Sequence, residues 1–384
     1  MNKKVLREEL LDPTFKYKGY QGYDQNQIYT CQPFDAERVV VASTGAGKPS
    51  VAQLPNGEIL VSYVKGYPPK KGCTEVEVVR SSDEGKTWSE PVCAVDHTHS
   101  PGDNYLIYLD EENLLLSYMH HEFGHPRPWQ GPCLCRSIDG GRTWSEPWLV
   151  DISAFCPNGP YGNGDRRHVI MPDGRLLYFL GTYEIPSRPL DYLMVSYDQG
   201  RTFPEYHLVS EMSGDSAFAL CKDGSIVGAL RINADDFPHR GAHPELREKG
   251  ECVHFMGFTR SRDEGRTWSA PVPLTGFNEI PGDILQLQDG RLMITFGVRH
   301  FPVGIQALVT QSDAQTWNLD RQITLAWHGQ LSFIEKWPRA KNTIGHPHTV
   351  QRPDGRLFTV YYHFANPFDI SSSRIEGVFW NVPS

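Results

Sequence analysis

Carboxylate, guanidinium and imidazole side chains recur in short segments next to predicted strands. Such groups can bind an anion or move a proton. The candidate catalytic residues are Asp215, His346, Glu75 and Asp165. The candidate substrate-binding residues are Lys48, Asp103, His121, Arg166, Arg167, His168, Arg231, Asp283, Arg299 and His348. Together they suit an acidic or hydroxyl-rich ligand, because guanidinium groups bind carboxylates through paired hydrogen bonds.

One string in the chain matches a zinc-peptidase pattern. Residues 121–125 read His-Glu-Phe-Gly-His, but that pattern binds zinc only on a helix, where positions i and i+4 share a face. Here the string follows a predicted strand, contains Gly124 and runs into Pro126. We therefore expect neither a zinc-peptidase site nor a cofactor. A metal held by histidines from neighbouring loops stays an alternative, although no short ligand spacing favours it.

A repeated turn pattern shows which elements must position these groups. Four segments share a Ser, an Asp, a Gly, a Thr and an aromatic residue at fixed places: 81–88, 137–144, 196–203 and 261–268. A fifth, 310–317, keeps the spacing without the Asp and Gly. The Asp can bond nearby backbone N–H groups and the Gly can take a positive φ, so each copy predicts a tight β-turn. Such repeats are typical of a radially repeated fold.

A second repeat predicts hairpins upstream of these turns. Apolar strands flank Asn-Gly or Asp-Gly pairs at Gly57, Gly174, Gly224, Gly290 and Gly355, and a sixth hairpin turns at residues 109–113. These pairs are strong hairpin signals. They predict an all-β fold: a six-bladed β-propeller of four-stranded antiparallel blades.

The last predicted blade runs out of chain before its outer strand. Residues 37–42 are rich in valine, and we expect this N-terminal strand to complete the blade and close the ring. The predicted organisation is an extension over residues 1–36 packed on the ring and a propeller domain over residues 37–384. Following the strand directions, both kinds of turn lie on one face, and the candidate site residues lie on the opposite face.

The repeated turns make the chain resemble the sialidase (neuraminidase) superfamily, whose members carry Asp-box, or BNR, repeats on a six-bladed propeller. The resemblance covers nearly the whole chain. In that family, arginines hold the substrate carboxylate, a Tyr–Glu pair supplies the nucleophile and an Asp is the general acid. The resemblance implies carbohydrate metabolism and a central funnel that cleaves a glycosidic bond.

The resemblance assigns the family's functional positions to particular residues of this chain. The position of the Glu falls on Asp215 and that of a nearby arginine on Arg231. The nucleophilic Tyr position falls on His346. The general-acid position, just ahead of the first repeat, offers Glu75 and Glu77. The first-blade arginine position falls on Gly47, next to Lys48, and the fifth-blade arginine position has Arg299 nearby.

Composition restricts the partners. The 384-residue chain has a formal net charge of −9 and no long basic run, so we expect no nucleic-acid partner. It has no apolar run of membrane-spanning length, so we expect no membrane partner. The first residues have no apolar segment typical of a secretion signal. We expect a cytoplasmic protein, or a secreted one if a signal has been removed; the oligomeric state is left open.

The sequence is compatible with three functions. The first is a sialidase-like glycoside hydrolase acting on an acidic or modified sugar. The second is a polysaccharide lyase on a uronate-containing glycan, with His346 as base, a tyrosine (Tyr161, Tyr183 or Tyr362) as acid and an arginine neutralising the carboxylate. The third is a propeller that binds carbohydrate without cleaving it.

Overall fold

The structure is a computed structural model that describes residues 36–383 apart from several internal segments. These segments are 44, 67–73, 100, 122–128, 157–165, 186–187, 234–253, 277, 300–302, 313, 320, 328–343 and 367–368. The proposed extension therefore lies, apart from Ala36, outside the described residues. Glu37 begins the first strand.

The described residues form six four-stranded antiparallel sheets, which are the blades of a six-bladed β-propeller. The first blade contains β2 (Ala46–Gln53), β3 (Ile59–Lys65), β4 (Glu75–Ser81) and β5 (Val92–Val95). The second contains β6 (Pro101–Asp110), β7 (Asn113–His121), β8 (Trp129–Ser137) and β9 (Trp148–Leu149). The third contains β10 (Val169–Ile170), β11 (Leu176–Ile185), β12 (Arg188–Ser196) and β13 (Glu205–Ser210).

The remaining blades follow the same order from the axis outwards. The fourth contains β14 (Ala217–Leu220), β15 (Ile226–Asn233), β16 (His254–Ser261) and β17 (Val272–Pro273). The fifth contains β18 (Glu279–Gln286), β19 (Leu292–Val298), β20 (Gly304–Val309) and β21 (Ile323–Trp327). The sixth contains β22 (Ile344–Gln351), β23 (Leu357–Phe364), β24 (Ser373–Trp380) and β1 (Glu37–Ala42).

Strand β1 closes the ring as the sequence predicts. It pairs antiparallel with β24, from Glu37 opposite Phe379 to Ala42 opposite Ile375. The Arg38 guanidinium also reaches the fifth blade, where it donates to the carbonyl oxygen of Leu325. The N-terminal strand thus covers the edge of β24 and ties the last two blades together.

The repeated turns have the hydrogen bonds that their sequence predicts. In the second copy, an Asp139 oxygen accepts from the Thr143 N–H at 2.9 Å, and the Ser137 hydroxyl accepts from the Gly141 N–H at 2.7 Å. Gly141 has a φ of +82°. Because its Cβ position would lie 2.7 Å from a side-chain carbon of Leu60, a larger residue would collide with the neighbouring blade. The turns therefore fasten adjacent blades.

Apolar side chains between neighbouring blades form the core. One cluster joins the third and fourth blades, where the Phe179 and Phe218 rings stack with centroids 3.6 Å apart. Trp88, Trp144 and Trp268 of the repeated turns are partly buried and pack against such clusters. Of the elements described here, none is a helix long and apolar enough to span a membrane.

Candidate functional site

The inner strands of the six blades begin at the face opposite the repeated turns, and polar side chains gather there. Lys48, Asp215 and His346 occupy the same place relative to the hairpin glycines of their blades. Their φ angles are +50°, +65° and +51°, which residues other than glycine rarely adopt. Strained backbone of this kind concentrates at functional sites, and here the three blades turn their chains in the same way.

Asp215 contacts two arginine side chains, and we call these three residues the Asp215 cluster. Its Oδ2 accepts a hydrogen bond from Arg231 at 2.7 Å, and its Oδ1 lies 3.8 Å from the Arg166 Nε. Arg231 is on β15, and the chain at Arg166 runs beside the start of the fourth blade, with the Arg166 N–H bonded to the Ser216 carbonyl oxygen. The structure thus brings together the predicted pair Asp215 and Arg231 and adds Arg166 to it.

Lys48 and Asp103 form a second ion pair in this region. The Lys48 ammonium contacts Asp103 Oδ1, and the Asn104 side chain donates to the Lys48 carbonyl oxygen at 2.8 Å. The second oxygen of Asp103 is buried and has no hydrogen-bond partner among the residues that the structure describes. That oxygen can accept a hydrogen bond from a bound molecule.

Arg166 is a buried cation with unused donors. Only 2% of its surface is exposed, and within the described residues its Nε and Nη1 make no hydrogen bond. Its guanidinium carbon lies 5.9 Å from the Tyr105 ring centroid. Buried polar atoms without partners are uncommon in folded proteins and mark places where a ligand or water is expected.

His346 is buried beside four cations. Burial lowers the pKa of His346 well below its usual value, and the positive charges of Arg166, Lys48, Arg299 and Arg231 lower it further. The imidazole is therefore neutral at physiological pH, and an anion bound beside these cations would favour its protonation. Its ring centroid lies 5.5 Å from that of Tyr362 on β23.

Arg167 and Asp283, both predicted to bind substrate, form a salt bridge with each other. Arg167 donates to both oxygens of Asp283, at 2.7 and 2.9 Å, and to the Thr349 carbonyl oxygen at 2.6 Å. Asp283 has no exposed surface. Burial raises the pKa of Asp283, but Arg167 and other partners lower it more, so the net shift is downward. We expect this bridge to join three blades across the axis rather than to contact a ligand.

His168 and His348 flank Tyr105 near the axis. The Tyr105 ring centroid lies 6.1 Å from that of His168 and 5.4 Å from that of His348. Backbone N–H groups donate to the Nδ1 of each imidazole, Phe179 to His168 at 3.1 Å and Val51 to His348 at 2.9 Å. Each neutral ring therefore carries its proton on Nε2.

A cavity of about 730 Å³ lies on the axis, lined by the inner strands and the hairpin turns. Arg167, His168 and His348 line part of it, and its walls are mostly aliphatic, including Leu106 and Val350. The cluster around Asp215 is not part of its lining. We place the candidate site at the end of the axis where the inner strands begin. Asp215, His346 and the free donors of Arg166 come together there.

The other predicted residues lie elsewhere or outside the description. Glu75 is at the start of β4, and its Oε1 lies 3.7 Å from the His97 Nδ1. Among the contacts of the described residues, none joins Glu75 to Asp215. Asp165 lies outside the described residues. His121 ends β7, and its side chain is outside the description as well.

Two residues of this region were not predicted from the sequence. Tyr105 lies between Arg166 and the two axial histidines, and Asp191 on β12 is fully buried near Asp215. A sequence signal existed for Asp191, because a carboxylate inside an otherwise apolar predicted strand calls for a buried partner. Tyr105 gave no such signal, since tyrosine is common in strands.

Comparison with known proteins shows the fold alone. No family model and no curated protein matches the chain in sequence. A Dyadobacter fermentans protein of unknown function has a similar structure, with a TM-score of 0.71 and 22% identity. That match covers 90% of this chain and 98% of the other.

Sialidases are among the similar structures. Trypanosoma rangeli sialidase, in complex with the inhibitor DANA, has a TM-score of 0.61 at 12% identity, and the match covers 91% of this chain and 60% of that one. NanB has a TM-score of 0.58 at 12% identity, with 91% of this chain and 71% of that one covered. The present chain thus spans about 60% of the trypanosomal sialidase.

Proposed function

We propose that the chain cleaves a glycosidic bond in an acidic sugar at the end of the axis that holds Asp215 and His346. The observation that carries this proposal is the buried Arg166, whose Nε and Nη1 make no hydrogen bond among the described residues, in a region where Lys48, Arg231 and Arg299 add positive charge around His346. An anionic group on the substrate would balance that charge. The sialidase-like fold supports the same class of substrate by analogy.

Hydrolysis is the reaction we favour. Breaking a glycosidic bond passes through an oxocarbenium-like state, which a carboxylate such as Asp215 stabilises. Water adds its oxygen to the anomeric carbon. His346 takes up the proton that this water releases, since the substrate carboxylate would offset the neighbouring cations that otherwise oppose its protonation. The leaving oxygen needs a proton of its own. Asp165, which matches Asp215 in its place relative to the hairpin glycine, remains our candidate for that acid.

Elimination is the second candidate, and the neutral imidazole of His346 beside Tyr362 favours it. His346 would remove the proton next to a uronate carboxylate while Arg166 or Arg231 neutralises that carboxylate. The C–O bond to the leaving sugar would break as a C=C bond forms, and Tyr362 would protonate the leaving oxygen. No water enters the product in this reaction.

Product analysis on a panel of sialylated and uronate-containing glycans distinguishes the candidates. Hydrolysis predicts products whose combined mass exceeds that of the glycan by one water. Elimination predicts products whose combined mass equals that of the glycan, one of which has the ultraviolet absorption of an unsaturated uronate. Binding without turnover on every glycan would leave the third function, a carbohydrate-binding propeller, and would reject both reactions.

Substitution of Asp215 tests the assignment of the site. Asp215→Asn keeps the side-chain shape but removes the charge that faces Arg231 and Arg166, and we expect turnover to fall by about 100-fold or more. The matched control is Asp139→Asn, in a repeated turn at the opposite face, which should retain turnover. Equal loss in both variants would show that the effect is one of folding and would contradict the assignment.

A further inference from the structure

We infer that Asp191, on a neighbouring blade, is a positioning residue that holds Asp215 in its catalytic conformation. This inference rests on the proposed function, since it concerns how the same site is kept in order. Asp191 is on β12 of the third blade, whereas Asp215 lies two residues before β14, the first strand of the fourth blade. Asp191 has no exposed surface.

Two serines connect the carboxylates. Asp191 Oδ2 accepts hydrogen bonds from the Ser213 hydroxyl at 2.5 Å and from the Ser216 hydroxyl at 2.6 Å. Ser213 and Ser216 stand on either side of Gly214 and Asp215 in the chain, and both are fully buried. One buried oxygen thus holds both ends of the turn that carries Asp215.

The turn needs such a restraint. Asp215 has a φ of +65°, a backbone conformation that residues other than glycine rarely adopt unless their surroundings enforce it. In this conformation Asp215 Oδ2 lies 2.7 Å from Arg231. If the serines lost their common acceptor, the turn could relax and that contact would lengthen.

The buried charge is itself unfavourable, which indicates that something other than packing requires it. The pKa of Asp191 is raised to about 6: burial and the charge of Asp215 raise it, whereas the hydrogen bonds from Ser213 and Ser216 and the charge of Arg231 lower it. A purely structural position would be filled more stably by an apolar side chain. The hydroxyl groups of Ser213 and Ser216, however, need a common acceptor, and the short side chain of Asp191 provides it.

The test compares four variants with wild type on the glycan that the panel identifies. Asp191→Ala should lower kcat by about 10- to 100-fold and change KM little, because misplaced catalytic groups impair chemistry more than binding. Asp191→Asn, whose amide oxygen can still accept from both serines, should recover most of that loss. Ser213→Ala should act through the same contact, so its effect should not add to that of Asp191→Ala. Ser196→Ala is the control, since this buried serine lies at the other end of β12, and it should lower stability without changing kcat.

A crystal structure of Asp191→Ala supplies a readout that does not depend on activity. We expect the φ of Asp215 to leave the positive region and the contact between Asp215 and Arg231 to break. An unchanged turn, or turnover equal to wild type, would overturn the role of Asp191 while leaving the proposed function intact. A disrupted turn in a protein that cleaves no glycan would reject the proposed function and keep the coupling between Asp191 and Asp215.

Discussion

The backbone fixes the hydrogen-bonding roles of the two axial histidines, His168 and His348. Each Nδ1 accepts from a backbone N–H group, and burial lowers the pKa of each imidazole to about 3. Both rings therefore present an Nε2–H donor. Neither Nε2 has a hydrogen-bond partner among the described residues, so both are available to ordered water or a ligand.

Nitrogen-15 NMR of the histidine rings checks this protonation state. We expect His168 and His348 to stay neutral, with the proton on Nε2, from about pH 8 down to about pH 5. Since the unfolded chain takes up protons below about pH 6.5 and the folded rings do not, these residues should reduce stability as the pH falls. The exposed His97 is the internal reference for the method. A Nδ1–H signal for either axial ring would contradict the hydrogen bonding described here.

At the scale of elements, the repeated turns act on stability and not on chemistry. In the second copy, Asp139 also accepts from the Thr143 hydroxyl at 2.6 Å and from the Arg142 N–H at 3.0 Å. This turn packs against the first blade, where Gly141 approaches Leu60. Its contribution is therefore to hold two blades in register.

Replacing Asp139 measures this contribution. Asp139→Ala should lower the free energy of unfolding by about 1–2 kcal/mol, because the turn loses its main acceptor, while turnover by folded protein stays unchanged. Ser312→Ala is the matched control, since Ser312 takes the place of the Asp in the fifth copy and has no carboxylate to lose. Chemical denaturation of both variants makes the measurement. If both variants lost the same free energy of unfolding, the Asp139 carboxylate would contribute nothing to stability beyond what Ser312 contributes in the fifth copy.

The elements were more predictable than the site. Apolar strands flanking Asn-Gly and Asp-Gly pairs, together with the repeated turns, predicted the blades and their order, since these are local signals. The pairing of Asp215 with Arg231 followed from the hairpin between them. The bridge between Arg167 and Asp283 could not be predicted, because it depends on how the fifth blade meets the third across the axis. Asp191 depends in the same way on packing between blades.

At the scale of the whole molecule, β1 closes the ring. It supplies the outer strand of the sixth blade and covers the edge of β24. Without it, β24 would expose unpaired backbone groups along its length, and Arg38 would no longer reach the fifth blade. We therefore expect the N-terminal strand to be essential to the fold, although it lies far in sequence from its partner.

Two truncations test this closure and the domain boundary. Removal of residues 1–42 should lower the melting temperature sharply and promote aggregation, because it opens the ring. Removal of residues 1–35 keeps β1 and should leave a folded propeller with nearly the stability of the full chain. If the shorter truncation unfolded the protein as well, the boundary predicted at residue 37 would be wrong. If neither did, β1 would not be needed for closure.

The central claim is that an acidic sugar binds where the blades bring Arg166, Arg231 and His346 together. A crystal structure of the Asp215→Asn variant with the acidic glycan selected from the panel tests it most directly. We predict the sugar carboxylate within hydrogen-bonding distance of Arg166 or Arg231, with the glycosidic bond beside His346. A glycan bound instead in the axial cavity between the hairpin turns, or on the outer strands, would contradict the claim.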